Sequence, residues 1–418
     1  MSILIKNARI VSPGSKLNGT QKDILIKNGR IEKISNKISD KSAKMISSEN
    51  LYVSPGWMDI GTCGAEPGFE FRETFSSLSK SAASGGFTSI AVFPNTNPPV
   101  DNKSSVQFIQ NNTRDEVVDF YPIGAISKNC KGEEITEMID MATHGAIAFS
   151  DGKKSLQSNG VLLRALQYAK STGRIIINHP DDHSLSNGNN IHEGEISTSL
   201  GLKASPSLSE ILTTERDILM AEYAESMILL HNLSCKESVD KLLKLKSSFV
   251  ASSVSYLNLC KTDDSLADFN VNYKTNPPLR SEKDRKALIK GINQGAINII
   301  CSNHVPLEEE AKKLEFVYAD LGATGLQTCF PALIEFANDI ELEKLVECLS
   351  VNPRKLMGLD EIVIKSGEPV NLTLFDTNSP WTYNEQNNLS KSKNSPFFGH
   401  QFNSKIVGII NGKKSRFN

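Results

Sequence analysis

The chain has no long apolar run, no excess charge of either sign and no paired cysteines. No stretch approaches the roughly 18 consecutive apolar residues that a membrane span requires, and Met1-Ser-Ile-Leu-Ile-Lys lacks the apolar core of a secretory signal. A soluble, cytoplasmic chain is therefore expected. With 46 Lys and Arg against 48 Asp and Glu, the formal charge is -2. Neither nucleic acid nor an anionic membrane surface is then an expected partner. The seven cysteines (Cys63, Cys130, Cys235, Cys260, Cys301, Cys329 and Cys348) are odd in number, scattered and without a CxxC pair. Reduced thiols follow. There is also no low-complexity linker and no internal repeat longer than a single strand-helix unit.

What remains is an ordinary globular composition, 39% hydrophobic and 22% charged, over 418 residues. That length suits one large α/β domain with an accessory unit. The opening is all β: Ile3-Leu-Ile-Lys-Asn-Ala-Arg-Ile-Val11 and Asp23-Ile-Leu-Ile-Lys-Asn-Gly-Arg-Ile31 alternate in the strand manner, with Asn28-Gly29 as a turn. After Pro55 short apolar strands alternate with helical segments. Eight strands are expected, around Trp57–Ile60, Thr88–Phe93, Val117–Ile123, Ala146–Phe149, Arg174–Ile177, Met227–Leu230, Phe249–Val254 and Ile297–Cys301. Helices are expected between them over Phe71–Ser84, Glu134–Thr143, Leu162–Thr172, Ser209–Ala224, Lys236–Lys246 and Glu282–Gln294. Eight such units predict an α/β fold, a (β/α)8 barrel.

Strands return over Gly367–Asp376 and Lys405–Gly412, with Asn411-Gly412 as a turn pair and a long loop from Ser379 to Phe398. Alternation leaves the strands at both ends with an apolar face in need of cover. One small β-sandwich domain built from both termini is expected: residues 1–54 and 359–418 around a barrel of residues 55–358.

In such a barrel, chemistry sits at the carboxyl ends of the strands. Reading those ends gives Gly61 and Cys63, Asn95, Asp151, His179, His231 and Asn303-His304. Two histidines and a carboxylate form a partial metal shell. His144, His183, His192 and His400 have no such register and read as ordinary structural or surface residues.

Met58-Asp-Ile-Gly-Thr-Cys-Gly-Ala-Glu-Pro-Gly68 resembles the first-strand motif of the dihydroorotases, Asp-x-His-x-His-x-Arg-Glu-Pro-Gly. The resemblance extends through Gly85–Pro98, Phe149-Ser-Asp-Gly152, His231–Ser238, Asn276–Ser281, Asn352-Pro353 and Ser390–Gly399. It implies a zinc-dependent cyclic amidohydrolase of pyrimidine biosynthesis. Asp151, His179 and His231 would stand at metal positions, and Asn95 and Asn276 at substrate positions.

The departures carry equal weight. Gly61 and Cys63 replace the two first-strand histidines, Ala65 replaces the Arg, and Asn303-His304-Val305-Pro306-Leu307 replaces Asp-His-Ala-Pro-His. In the family that Asp binds metal and shuttles the catalytic proton, and an Asn amide has no titratable proton to offer. The lost Arg and His would have clamped the substrate carboxylate. Cys63 reads either as a small buried thiol or as a fourth zinc ligand beside Asp151, His179 and His231, although the family's first-strand ligands and later histidines serve different metals. At most one weakly held zinc is expected, and none if the shell is fully degenerate.

The resemblance thus implies a catalytically impaired relative with a structural or regulatory role. Inactive dihydroorotase-like chains associate with aspartate transcarbamoylase in bacteria, so that enzyme is the first expected partner, and a homo-oligomer is also expected. The alternative is a working zinc-dependent cyclic amidohydrolase with a rebuilt site.

Overall fold

A computed structural model describes residues 2–187 and 191–418. Eight parallel strands, Trp57–Thr62, Phe87–Val92, Asp119–Gly124, Ala148–Phe149, Ile175–Asn178, Ile228–Leu230, Val250–Ser255 and Ile299–Cys301, pair in sequence order. All eight expected strands are present, each displaced by one or two residues. Among the described residues no helix is long and apolar enough to cross a membrane.

The helices are set by their caps rather than by their apolar pattern alone. Thr74 accepts from Ser77 N (3.2 Å) while Ser77 Oγ accepts from Thr74 N (2.9 Å), so the first helix runs Phe75–Ser84, four residues later than expected. Glu66 Oε2 also accepts from Phe75 N at 2.7 Å, tying the first-strand motif to the start of that helix. Ser158 and Ser281 cap Asn159–Thr172 and Glu282–Asn293 by accepting from Val161 N and Asp284 N. Met58, Ile60, Phe93, Ile177, Leu229 and Ile299 fill the barrel interior. A larger cluster including Trp57, Phe87, Leu162 and Ile292 fills the layer between strands and helices.

The barrel closes where its first and eighth strands meet, and a side chain does much of the joining. Asp59, fully buried, accepts from Ser302 N (2.6 Å), Ser302 Oγ (2.7 Å) and Thr62 Oγ1. Cys63 N donates to His304 O at 3.0 Å just above.

Both chain ends share one sheet, in the order Lys414–Phe417, Lys405–Asn411, Asn371–Asp376, Leu51–Pro55, Ser2–Ile10, Gln21–Lys27, Arg30–Ser35. The expected sandwich is made by this single sheet folded over its own core of Ile3, Ile5, Ile24, Leu372 and Ile410. Its far edge returns through Ile31 N to Glu368 O (3.0 Å) and Gly367 N to Ile31 O (2.7 Å). Asn28-Gly29 forms the expected turn between Lys27 and Arg30. The second turn is Gly412-Lys413 rather than Asn411-Gly412, because Asn411 is itself paired with Lys414. Only Gly56 separates the small sheet from the first barrel strand, and a Cβ there would lie 1.8 Å from Asn371 Oδ1 and 2.3 Å from Thr88 Oγ1. The site-bearing strand is thus mounted on the small sheet without slack.

Asp59→Ala is expected to lower unfolding free energy by roughly 2–4 kcal/mol, since it leaves the Ser302 amide and two hydroxyls buried without their acceptor. Chemical denaturation checks this, and an unchanged midpoint would show that the carboxylate does not help close the barrel.

Candidate active site

A cavity of about 570 Å³ opens at the carboxyl ends of the strands. Cys63, Ala65, Asn95, Lys153, Asn276 and Asn303 form one side, and Phe69, Val305, Pro306, Leu307 and Leu321 form an apolar side. The apolar loop is held down by the C-terminal segment: Asn394 Nδ2 donates to Val305 O (2.9 Å) and Gly322 O (3.1 Å), and Leu307 N donates to Asn394 Oδ1 (3.2 Å).

The strand-end residues do not all converge. His179 Nδ1 donates to His231 O (3.1 Å), and its Nε2 faces the Asn276 side-chain amide at 3.1 Å. Asn232 Nδ2 donates to His231 Nε2 (3.0 Å), which leaves His231 Nδ1 to donate to Ser253 Oγ (3.1 Å). Burial holds both imidazoles below the ordinary histidine pKa. The Asp151 carboxylate accepts from Ser127 N (2.9 Å) and Ser127 Oγ, and none of Asp151, His179 and His231 is among the residues that line the cavity.

Asn95 lines the cavity but spends its amide on the neighbouring loop, donating to Asp151 O (3.0 Å) and accepting from Lys153 N (3.1 Å). Asn303 accepts from Asn232 Nδ2 (3.2 Å) and donates to Asn276 O (3.1 Å). Cys63 is half-buried on the cavity wall rather than packed away, and burial pushes its thiol pKa up.

Lys153 was missed by reading strand ends alone. Its Nζ donates to Asn303 Oδ1 and lies 5.7 Å from the centroid of the Phe93 ring, so a cation reaches across the mouth between buried groups. Burial lowers its pKa below the usual lysine value. Its position directly after Asp151-Gly152, past the fourth strand, was the available signal. Arg72 also lines the cavity, but its Nη2 donates to Glu308 Oε1 at 2.8 Å, so its charge is already paired.

A zinc site needs three or four donors. Among the described residues no group of three His, Cys, Asp or Glu is placed to hold an ion. The space has also been refilled. A Cβ at Gly61, where the family carries His, would lie 2.7 Å from Phe93 Cζ and 2.8 Å from His231 Nε2, at a φ of +84°. The residues present do not fit a zinc centre.

Together the strands and their carboxyl-end cavity define a (β/α)8 barrel with its candidate site at the mouth. The Dihydro-orotase-like family profile matches residues 51–238. The chain is 39% identical to a dihydroorotase of Caldicellulosiruptor saccharolyticus, across 98% of this chain and 97% of that one, and 37% identical to a dihydroorotase of Acetivibrio thermocellus, across 98% of each. Among solved structures, the L-hydantoinase (dihydropyrimidinase) from Arthrobacter aurescens is similar in fold, with a TM-score of 0.87 at 24% identity over 99% of this chain and 95% of that one. The chain belongs to the dihydroorotase family.

Gly61→His is expected to destabilise the protein by about 2 kcal/mol or more, through overpacking against Phe93 and His231 and a positive φ. It is also expected to leave zinc content unchanged. Denaturant melts with elemental analysis check both, and a stable variant that gains stoichiometric zinc would show the site to be merely short of one ligand.

Proposed function

We propose that this chain is a dihydroorotase-family protein of pyrimidine biosynthesis with little or no hydrolase activity, kept as a structural or regulatory partner. The observation that carries this reading is the Lys153 amine on Asn303 Oδ1, a cation among the groups that would otherwise surround a metal. A cation there opposes a second cation by direct repulsion, which argues against a zinc on His179 and His231 and favours the fully degenerate shell with none.

The chain's own residues offer little to the reaction. Asn303 cannot take or return a proton, a loss that typically costs about 10²–10⁴-fold. Metal binding is what brings a water's pKa to about 7, and no three-donor group of the described residues is placed to supply it. Ala65 and Leu307, both buried, supply neither charge nor hydrogen-bond donors from their side chains where a substrate carboxylate would be clamped. Raising substrate concentration therefore does not compensate for slow chemistry. Aspartate transcarbamoylase is the first partner to test, and self-association is expected alongside.

Steady-state assay of dihydroorotate hydrolysis, and of its formation from carbamoyl aspartate, with added zinc is expected to give no turnover above background. Asn303→Asp alone is expected not to restore it, because the first-strand donors and the clamp stay absent. A turnover of about one per second, the low end for ordinary enzymes, that vanished in His179→Ala would overturn this reading in favour of a rebuilt enzyme.

A further inference from the structure

A second cavity, of about 320 Å³, shares no lining residue with the one at the barrel mouth. It lies where the C-terminal strands pack beside the end of the first helix. Trp381 and Leu389 come from the segment before those strands, Lys405 and Ile406 begin the strand Lys405–Asn411, and Arg416 stands on Lys414–Phe417, the edge strand of the small sheet. Its volume is at the lower end of small-molecule sites.

The neutral polar groups of this wall are already spent on holding it together. Gln327 Nε2 donates to Asn387 O (3.0 Å) while its Oε1 accepts from Leu389 N (2.7 Å), and Asn387 donates to Thr382 O (2.7 Å) and accepts from Asn384 N (2.9 Å). Asn418 Nδ2 donates to Ser84 O (3.0 Å) and Ile406 O (3.1 Å), and Trp381 Nε1 to Ser404 O (2.8 Å). The indole, Leu389 and Ile406 therefore offer the cavity carbon. The two cations are different. Among the described residues neither Lys405 nor Arg416 forms an ion pair or a side-chain hydrogen bond, Arg416 Nε is buried without a partner, and no side chain lining the cavity is acidic. Asp376, opposite Lys405 across the strand pair, is taken up by Ser48 Oγ (2.5 Å) and Asn378 N (2.8 Å). A buried guanidinium N–H without an acceptor is costly, and a ligand that brings an anionic acceptor recovers that cost.

We propose that this cavity binds a phosphate monoester with a planar body, its phosphate held by Arg416 and Lys405 and its ring against Trp381 and Leu389. A guanidinium fork and an ammonium supply two positive charges, and a phosphate monoester carries about 1.5–2 negative ones near neutral pH. A single carboxylate would leave one cation uncompensated. The flat indole suits a planar partner, which gains from ring contact as well as from burial. No bond is made or broken. The site is separate from the barrel mouth and does not depend on whether that mouth carries hydrolase chemistry.

Calorimetric titration and tryptophan fluorescence of the full chain with phenyl phosphate, and with phenol, benzoate and inorganic phosphate as comparators, test it. Of the two tryptophans, Trp57 is fully buried in the core and Trp381 borders the cavity, so a ligand-dependent change in emission reports this site. Phenyl phosphate is expected to bind saturably, one per chain, with a change in emission that Trp381→Leu removes. Phenol is expected not to bind, and benzoate and inorganic phosphate to bind about tenfold more weakly or worse. Arg416→Gln and Lys405→Met are each expected to weaken phenyl phosphate by about tenfold or more, as loss of a charge-assisted contact does. Lys405→Met, on a different strand, carries the test if Arg416→Gln does not fold.

Undiminished affinity in either variant, phenol, benzoate or inorganic phosphate binding as tightly as phenyl phosphate, or no saturable binding at millimolar concentration would each overturn the proposal. So would phenyl phosphate binding that fell in Lys153→Met and held in Arg416→Gln, because that would put the ligand at the barrel mouth. Hydrolase turnover in the same preparation would overturn the preceding reading and leave this one standing.

Discussion

The structure depends on a buried carboxylate between the first and eighth barrel strands. Asp59 takes hydrogen bonds from the Ser302 amide, the Ser302 hydroxyl and Thr62, and burial holds its pKa above the ordinary carboxylate value. A parallel barrel must bring its last strand beside its first with no hairpin to enforce the register. A side chain that bonds to one specific amide does so. Two residues of the cavity stand next to that closure, since Asn303 follows Ser302 directly and Cys63 follows Thr62.

The first-strand motif divides along the same line. Asp59 closes the barrel, Glu66 anchors the following helix, and Gly68 lets two loops approach, since a Cβ there would sit 2.1 Å from Asn97 O. These are the positions at which the chain keeps the family's residues. Those that differ, Gly61, Cys63 and Ala65, are the ones whose side chains would face metal or substrate.

The changed positions have been repacked rather than left open. Phe93 and His231 occupy the space beside Gly61, with ring centroids 5.3 Å apart, and Lys153 reaches Asn303 across the mouth. From Asn303 the bonding continues to Asn276 and Asn232, and onward to His179 and His231. A network of side-chain amides and imidazoles around one amine links these strand ends. It differs in its bonding from a metal shell with a member missing.

Much of this was legible from the amino-acid order. Strand alternation, the βα succession, the Asn28-Gly29 turn and the substitutions at Gly61, Ala65, Asn303 and Leu307 are local in the chain, and local pattern reports them. Helix starts were misjudged where a cap such as Thr74 overrode the apolar pattern, and the second hairpin turn was misplaced by one residue because cross-strand pairing of Asn411 decides it. The site itself was another matter. That Asp151 turns to Ser127, that Cys63 lines the cavity, and that Lys153 spans it to a residue 150 positions away depend on which strand ends the closed barrel brings together. Strand-end position determines which residues can face the mouth. Only the packed tertiary structure, through the partners it brings within hydrogen-bond reach, decides which of them do.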